Sequence, residues 1–275
     1  MDLLDLVRPG AVAGAALTAL VGWVLSDSES QGWRLALAVT AIAGIVAASN
    51  VHNDRRDIVA DRRNGRDRPL ADGRLTDRQA RSVFVVSSAL GLASALALGR
   101  WSLVVGAVLL GLGMAYSGPL RQIPLVGHVV VAGLFAAVVG FGAVAAGGSL
   151  GRNGPAAAVV VFAFILMREV LKSVPDAVGD LESGARTAAV VLGRHRALAL
   201  VRVLALVVVL ASLAPALFVG SWAYPALAMF GIVGPTLWLQ AAIAGEPDDE
   251  TVRATLSRSG VVFLTGQLTL LALAV

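Results

Sequence analysis

The 275-residue sequence contains no cysteine, a single lysine and few charged residues. Without cysteine, the chain can form neither a disulfide framework nor a thiolate metal site. Charged residues make up 15% of the sequence and hydrophobic residues 57%, whereas soluble domains contain about 25% charged and roughly 45–50% apolar residues. This composition predicts an integral membrane protein.

Nine apolar segments are each long enough, at roughly 17–25 residues, to cross a bilayer as a helix. They cover residues 8–25, 33–52, 79–99, 101–117, 124–147, 156–174, 197–219, 222–244 and 257–275. The first segment is not a convincing cleavable signal, because two aspartates accompany Arg8 and no clear small-residue cleavage site follows. We therefore predict an all-α polytopic membrane protein in which residues 1–275 form one transmembrane domain.

Basic residues lie in the short connectors, and nearly all of them fall at one end of the predicted helices. Only Arg34, Arg100 and Arg152 fall at the other end. The net charge of +4 therefore reflects the positive-inside pattern rather than a groove for a polyanion, and no nucleic-acid partner is expected. The pattern predicts a cytoplasmic N-terminus and cytoplasmic loops at 53–81 and 168–196.

The densest charge cluster follows the second apolar segment. Its acidic part consists of Asn53, Asp54, Asp57 and Asp61. On a helix these four side chains would share a face about a quarter-turn wide. The carboxylates repel one another unless a cation lies among them, and their oxygens suit Mg²⁺, which proteins commonly bind together with substrate phosphates. A solvated loop at the membrane edge is the alternative interpretation.

A second cluster follows near the end of the sixth apolar segment. It consists of Glu169, Lys172, Asp176 and Asp180, which would share one face of a continuous helix. Pro175 removes one backbone hydrogen bond and predicts a kink just before Asp176. Ionisable groups near the end of a membrane helix are costly and indicate a functional site, although ion pairing and snorkelling would also accommodate them.

Both clusters are predicted to face the same compartment, with several basic side chains nearby. These are Arg66, Arg68, Arg121, Lys172 and Arg186. The combination suits a diphosphate held through Mg²⁺ by carboxylates and directly by cations, with its apolar tail inside the bundle. Neutralising the leaving diphosphate would allow the C1–O bond of an allylic substrate to break, and a nucleophile would attack the carbocation-like centre away from water.

Three motifs in this order resemble the UbiA superfamily of intramembrane prenyltransferases, over about residues 8–275. The NDxxDxxxD motif appears at residues 53–61, followed by Asp67-Arg68-Pro69. The AYSxPLK stretch appears as AYSGPLR at residues 115–121, and DxxGD appears at residues 176–180. The resemblance implies nine transmembrane helices around a central cavity, dependence on Mg²⁺, and transfer of a prenyl group from a polyprenyl diphosphate to a lipophilic acceptor within the membrane lipid.

The same resemblance implies roles for individual residues. Metal and diphosphate would be bound by Asn53, Asp57 and Asp61 from one side and by Asp176 and Asp180 from the other, with Asp54 in the same acidic set. Arg68, Lys172 and Arg121 would contact the diphosphate. Tyr116 would lie beside the reacting allyl group, where an aromatic face stabilises positive charge; a tyrosine of the interfacial belt is the alternative.

The sequence also departs from the family pattern. Arg121 stands where lysine is usual, His128 where asparagine is common, and Ser173 where an acidic residue often follows the lysine. Pro175 is unusual as well. These departures concern the number of metal ions and the acceptor pocket more than the class of reaction. His52 and His195 lie at the ends of apolar segments and are predicted to be interfacial.

The sequence leaves two classes of prenyl acceptor as alternatives. The stretch around the second cluster is most similar to enzymes that prenylate geranylgeranylglyceryl phosphate, while enzymes with aromatic acceptors share most of the same residues. Spare cations for an acceptor phosphate could come from Arg55, Arg56, Arg62 and Arg63.

A transporter or a non-catalytic scaffold of the same fold is the alternative from another class of protein. A transporter predicts ionisable residues in the middle of several helices, and the middles of the predicted helices are almost bare.

Overall fold

The computed structural model describes residues 2–29, 31–220 and 222–274, and within them the chain is almost entirely helical. Its α-helices are α1 (Asp2–Val7), α2 (Pro9–Val24), α3 (Gly32–Arg56), α4 (Ile58–Arg63), α5 (Asp77–Leu98), α6 (Arg100–Tyr116), α7 (Val126–Ala146), α8 (Gly154–Glu182), α9 (Ala188–Leu192), α10 (Arg194–Leu213), α11 (Ala223–Ala228), α12 (Gly234–Ala242) and α13 (Asp249–Leu270). A π-helical turn, Met229–Val233, joins α11 to α12. The predicted all-α fold is confirmed.

Seven helical segments in the described part of the chain are long and apolar enough to cross a membrane. They correspond to seven of the nine predicted segments, with bounds that differ by up to eight residues. The other two predicted segments form α2 and α6, which have 16 and 17 residues and are shorter than the roughly 20 residues of a typical span. The protein is therefore a multi-pass membrane protein, and all nine predicted segments are helical where the structure describes them.

Of the two acidic motifs, the first lies on a helix that differs from its predicted shape and the second does not. We expected one helical face over residues 53–61, but α3 ends at Arg56 and Asp57 adopts φ −100° and ψ 8° before α4 begins. The acidic motif is therefore split between two helices. In contrast, α8 continues through Pro175 to Glu182, so Asp176 and Asp180 lie on one continuous helix as the shared face required. The kink at Pro175 stays a prediction.

Glycines allow two pairs of helices to pack with their backbones in contact. A Cβ atom on Gly22 of α2 would overlap the Val139 carbonyl of α7, and one on Gly142 would overlap the Ala19 carbonyl. Between α3 and α5, a Cβ on Gly44 would lie 2.6 Å from the Ser87 carbonyl oxygen. Small residues at such crossings allow close van der Waals packing, which is the main source of helix association in lipid.

Candidate active site

Two arginines join the two acidic motifs at one end of the helix bundle. Arg121 donates hydrogen bonds to Asp57 and, at 2.6 Å, to Asp180. Arg66 donates to Asp61 at 3.0 Å and also to Asp176. Because each guanidinium contacts one carboxylate from each motif, both motifs face the same small region of the bundle.

The loop after α6 positions Arg121. The chain turns through a short 3₁₀ helix at Pro119–Gln122, and the Arg121 carbonyl accepts a hydrogen bond of 3.1 Å from the Arg186 backbone N–H. The Leu125 N–H in turn donates to the Arg186 carbonyl at 3.1 Å. Burial by itself would lower the pKa of Arg121, but Asp57 and Asp180 raise it above its usual value. The guanidinium is therefore held as a permanent cation between the two carboxylates.

The second bridge depends on the loop that follows α4. Arg66 lies three residues after α4 and reaches both acidic motifs, with 15% of its side chain exposed. Burial would lower its pKa, but Asp176 and Asp61 raise it. Burial raises the pKa of Asp61, and the adjacent Arg66 opposes that effect. The ion pair with Arg66 therefore stabilises the charged carboxylate of Asp61 at a buried position that otherwise disfavours negative charge.

The donor set fits a hard divalent cation in chemistry and in charge. Arg66 and Arg121 bind the four buried aspartates, and the partly exposed Arg253 lies 3.7 Å from Asp176 Oδ1, so three guanidinium groups face four carboxylates and a small excess of negative charge remains where the motifs meet. Carboxylate oxygens are the ligands that Mg²⁺ prefers, and the buried Oδ1 of Asp176 has no hydrogen-bond partner. Among the residues described, no three carboxylate or histidine side chains converge as a ready metal site, because the arginines lie between the carboxylates.

The other members of the first motif have different partners. Asn53 donates to Asp57 Oδ2 at 2.9 Å and accepts a hydrogen bond of 3.1 Å from the Ser117 hydroxyl. Asn53 therefore orients Asp57 within the site. Asp54 is 1% exposed and pairs with Arg8, because it lies about 100° around α3 from Asn53 and faces the start of α2. The prediction that all four side chains share one face does not hold for Asp54.

A cavity of about 1050 Å³ opens beside this polar end and extends between α2, α3, α6 and α7. The wall nearest the acidic motifs includes Tyr116, Lys172 and Glu169. The Lys172 ammonium lies 3.4 Å from Glu169 Oε2. Arg68 also lines this cavity. The volume lies at the upper end of the roughly 300–1,000 Å³ typical of ligand cavities. A polar head and a long apolar body in one cavity suit an amphipathic ligand.

Three further cations line this cavity, and sequence reasoning gave none of them a place at the diphosphate. They are Arg8, Arg168 and Arg253. Their common position could not be found from the sequence, since they belong to the start of α2, the middle of α8 and the start of α13.

The cations that the sequence suggested for an acceptor phosphate lie elsewhere. Arg55 donates to Asp77 at 2.7 Å, Arg62 donates to the Ala71 carbonyl at 2.6 Å, and Arg63 pairs with Glu182. None of Arg55, Arg56, Arg62, Arg63 and Arg186 is among the described residues that line the main cavity. Arg55, Arg62 and Arg63 are instead held by Asp77, Ala71 and Glu182 at the outer surface of the loops.

Two of the departures from the family pattern support the short helix α9. The Ala188 N–H donates to His128 Nε2 at 2.9 Å, and the Ala189 N–H donates to the Ser173 hydroxyl at 3.1 Å. Both acceptors are buried, and they satisfy the first backbone donors of α9. His128 and Ser173 therefore fix the loop that carries Thr187 to the polar end of the site.

The remaining histidines lie away from this cluster. His52 packs beside Phe84, with ring centroids 5.9 Å apart, and His195 is exposed near Glu246. Their predicted interfacial positions stay predictions. The buried aspartates of the two motifs lie toward the ends of α3 and α8, and Glu169 is the one buried carboxylate of the described site near the middle of a helix, whereas a transporter pathway would place ionisable groups along the middle of several helices.

Fold and site together define an α-helical membrane protein with a charged, polar head at one end of a deep apolar cavity. The family model of the UbiA prenyltransferase family matches residues 15–266. The chain belongs to this family and is a prenyltransferase.

A relative in sequence belongs to the same family, and two solved structures share the fold. A digeranylgeranylglyceryl phosphate synthase from Natronomonas pharaonis is 31% identical over 281 aligned positions, which cover 98% of each chain. The structure of a UbiA homologue from Aeropyrum pernix K1 has a TM-score of 0.83 at 22% identity and covers 96% of this chain and 98% of that one. A UbiA homologue from Archaeoglobus fulgidus bound to GPP and Mg²⁺ has a TM-score of 0.72 at 20% identity, with 98% and 99% covered.

Proposed function

We propose that this chain, as one catalytic domain, transfers a prenyl group from a polyprenyl diphosphate to geranylgeranylglyceryl phosphate in the presence of Mg²⁺. The observation that carries the proposal is the pair of contacts from Arg121 to Asp57 and Asp180, because it brings both acidic motifs to the head of one apolar cavity. The name of the Natronomonas relative supports the acceptor, and the ligands of the Archaeoglobus homologue support the donor and the metal.

The metal would be held mainly by Asp57, Asp61, Asp176 and Asp180, with Asn53 orienting Asp57. Asp54 belongs to the same motif but is set back against Arg8, so its role would be to position the start of α2. Bound Mg²⁺ would neutralise the leaving diphosphate and so lower the barrier to breaking the C1–O bond.

Arg66 and Arg121 would exchange partners when a diphosphate binds. Their guanidinium groups now donate to carboxylates, and phosphate oxygens accept the same bidentate hydrogen bonds. Releasing part of each arginine from the aspartates would free carboxylate oxygens for the metal. Lys172 and Arg68 line the same cavity and would supply further positive charge to the diphosphate.

Tyr116 is placed to act on the prenyl group after the diphosphate begins to leave. It lines both the polar head and the apolar cavity, on the side of α6. Its ring would stabilise positive charge on the allylic carbon by cation–π attraction. The apolar walls would exclude water, which would otherwise capture the cation.

The acceptor would place its phosphate beside Arg8 at the mouth of the cavity, where Arg68 would contribute positive charge to this phosphate as well as to the diphosphate. The buried Nε atoms of Arg8 and Arg68 have no hydrogen-bond partner, and burial together with the adjacent Arg8 lowers the pKa of Arg68. An anion between them would satisfy both donors and reduce their repulsion. The carboxylate of an aromatic acceptor is negatively charged, like the phosphate, and would also be attracted to these arginines. Aromatic acceptors therefore form the second arm of the test.

We predict that the purified enzyme turns over geranylgeranylglyceryl phosphate and not 4-hydroxybenzoate when both are offered with a labelled prenyl diphosphate. In the double variant Arg8→Gln/Asp54→Asn, which removes both charges of the pair, the KM for the phosphate acceptor should rise about tenfold because one charged hydrogen-bond donor is lost. The KM for the donor should stay unchanged. Product is measured by thin-layer chromatography of the labelled lipid.

The matched control is Arg55→Gln/Asp77→Asn, which removes an arginine–aspartate pair at the outer surface of the loops. It should leave both KM values unchanged. Preferential use of the aromatic acceptor would contradict the proposed acceptor. A raised donor KM in Arg8→Gln/Asp54→Asn would contradict the separation of the Arg8–Asp54 pair from the diphosphate.

We also propose that the site faces the cytoplasm, since the positive-inside rule relates basic loops to that side. Because the chain has no cysteine, single cysteines can report topology. In sealed inside-out membrane vesicles, an impermeant maleimide should label Ser183→Cys at the site end and should leave Gln31→Cys at the opposite end unlabelled. The reverse pattern would contradict this orientation.

A further inference from the structure

We infer that the deep end of the main cavity, formed by Ile42, Leu109 and Val138 with Phe141 beneath them, sets the longest prenyl tail that the enzyme accepts. This inference rests on prenyl transfer and is independent of which acceptor is used. It begins with the depth of the cavity below the site. Residues from Asn53 at the head to Ile42 at the deep end line the same wall of α3, and this stretch of helix rises by about 16 Å.

The other walls end at a comparable depth. The deepest cavity-lining residue is Ala15 on α2, Leu109 on α6 and Val138 on α7. All three are nearly or fully buried. The apolar body of the cavity therefore ends inside the bundle, with side chains from four helices closing around it.

Phe141 lies one helical turn beyond Val138 and is fully buried. A Cβ atom on Gly106 of α6 would lie 3.9 Å from Phe141 Cε2 and 3.1 Å from Ile45 Cδ1. Gly106 and Phe141 thus lie close together one helical turn beyond the deepest lining residues of α6 and α7, while Ile45 of α3 lines the cavity itself. A longer tail would have to displace Phe141.

The wall formed by α2 and α7 is rigid at the same level. Gly142 follows Phe141, and a Cβ atom on it would overlap the Ala19 carbonyl. One turn further along α2, Gly22 packs against the Val139 backbone in the same way. Because these are backbone contacts, a change of side-chain rotamer cannot open the deep end.

The depth of the cavity limits the number of isoprene units that the prenyl tail can contain. Each isoprene unit adds four carbon–carbon bonds of about 1.5 Å along the chain, or roughly 5 Å when extended. A depth of about 16 Å therefore holds three extended units, or four when the tail is slightly folded. A tail of four units fills the cavity, and tails of six or more units would be excluded.

The test measures kcat/KM for donors with two, four and six isoprene units at one fixed acceptor. In Val138→Phe, the added ring should lower the value for the four-unit donor by about tenfold or more relative to the two-unit donor, by the usual scale of steric discrimination in apolar pockets. Turnover of the two-unit donor shows that the variant is folded. Val139→Ala, which changes the adjacent residue packed against α2, should keep the wild-type profile.

The reciprocal variant is Phe141→Ala, which should increase use of the six-unit donor relative to the four-unit donor. Phe164→Ala is its control, since Phe164 is also buried but does not lie below this cavity. An unchanged profile in both Val138→Phe and Phe141→Ala, or an equal shift in the control, would overturn the inference. A wild-type enzyme that turns over no donor with either acceptor would contradict the proposed function instead.

Discussion

Asp57→Asn and Asp180→Asn are each expected to lower Mg²⁺-dependent release of pyrophosphate by about 10²–10³-fold, the usual cost of removing one group that stabilises transition-state charge. Both carboxylates are buried at the head of the cavity and share the Arg121 guanidinium. Asparagine keeps the shape of each side chain but removes the charge that would attract the metal. Release is measured with a coupled pyrophosphate assay, with and without EDTA.

The matched control is Asp77→Asn, because Asp77 is half-exposed at the start of α5 and pairs only with Arg55 and Arg81 among the ion pairs of the described chain. It should keep wild-type turnover. EDTA should stop the wild-type reaction, and added Mg²⁺ should restore it. Near-normal turnover in both site variants would refute the assignment of these carboxylates to the diphosphate.

Arg121→Gln is expected to destabilise the protein as well as inactivate it. The arginine side chain is 13% exposed and connects two buried aspartates from different helices. Breaking a buried ion pair by removing one partner costs about 3–5 kcal/mol, because the remaining charges are buried without compensation. The free energy of unfolding in detergent and the rate of pyrophosphate release should therefore fall together.

Arg121→Lys separates the two effects. Lysine retains the charge but lacks the planar fork that binds two carboxylates at once, so stability and turnover should both fall between those of the wild type and of Arg121→Gln. The control is Arg63→Gln, which breaks an exposed pair with Glu182 and should cost no more than about 1 kcal/mol. Wild-type stability of Arg121→Gln would show that the aspartates do not depend on the bridge.

The sequence predicted the helical segments well because membrane helices are encoded locally. A run of about 20 apolar residues must satisfy its backbone hydrogen bonds within itself, whatever its neighbours do. The bounds of α3 and α8 were wrong mainly at their charged ends. There the polar side chains bind one another and the loops, so that α3 ends at Arg56 while α8 continues to Glu182.

Within the site, sequence spacing identified the residue types but not their partners. Periodicity placed Asp54 beside Asp57, yet the fold brings Arg8 to Asp54 from the start of another helix. It gave no sign that His128 and Ser173 would accept hydrogen bonds from α9. Such pairs join residues far apart in the chain, and neither partner carries a local pattern that names the other.

The sequence by itself determined that this protein crosses the membrane many times and carries two aspartate-rich motifs suited to magnesium and diphosphate. Only the tertiary structure decided that Arg66 and Arg121 connect those motifs and that Phe141 lies below the cavity. The physical reason is that hydropathy and periodicity report what one helix requires, whereas ion pairing and cavity depth arise where several helices pack together.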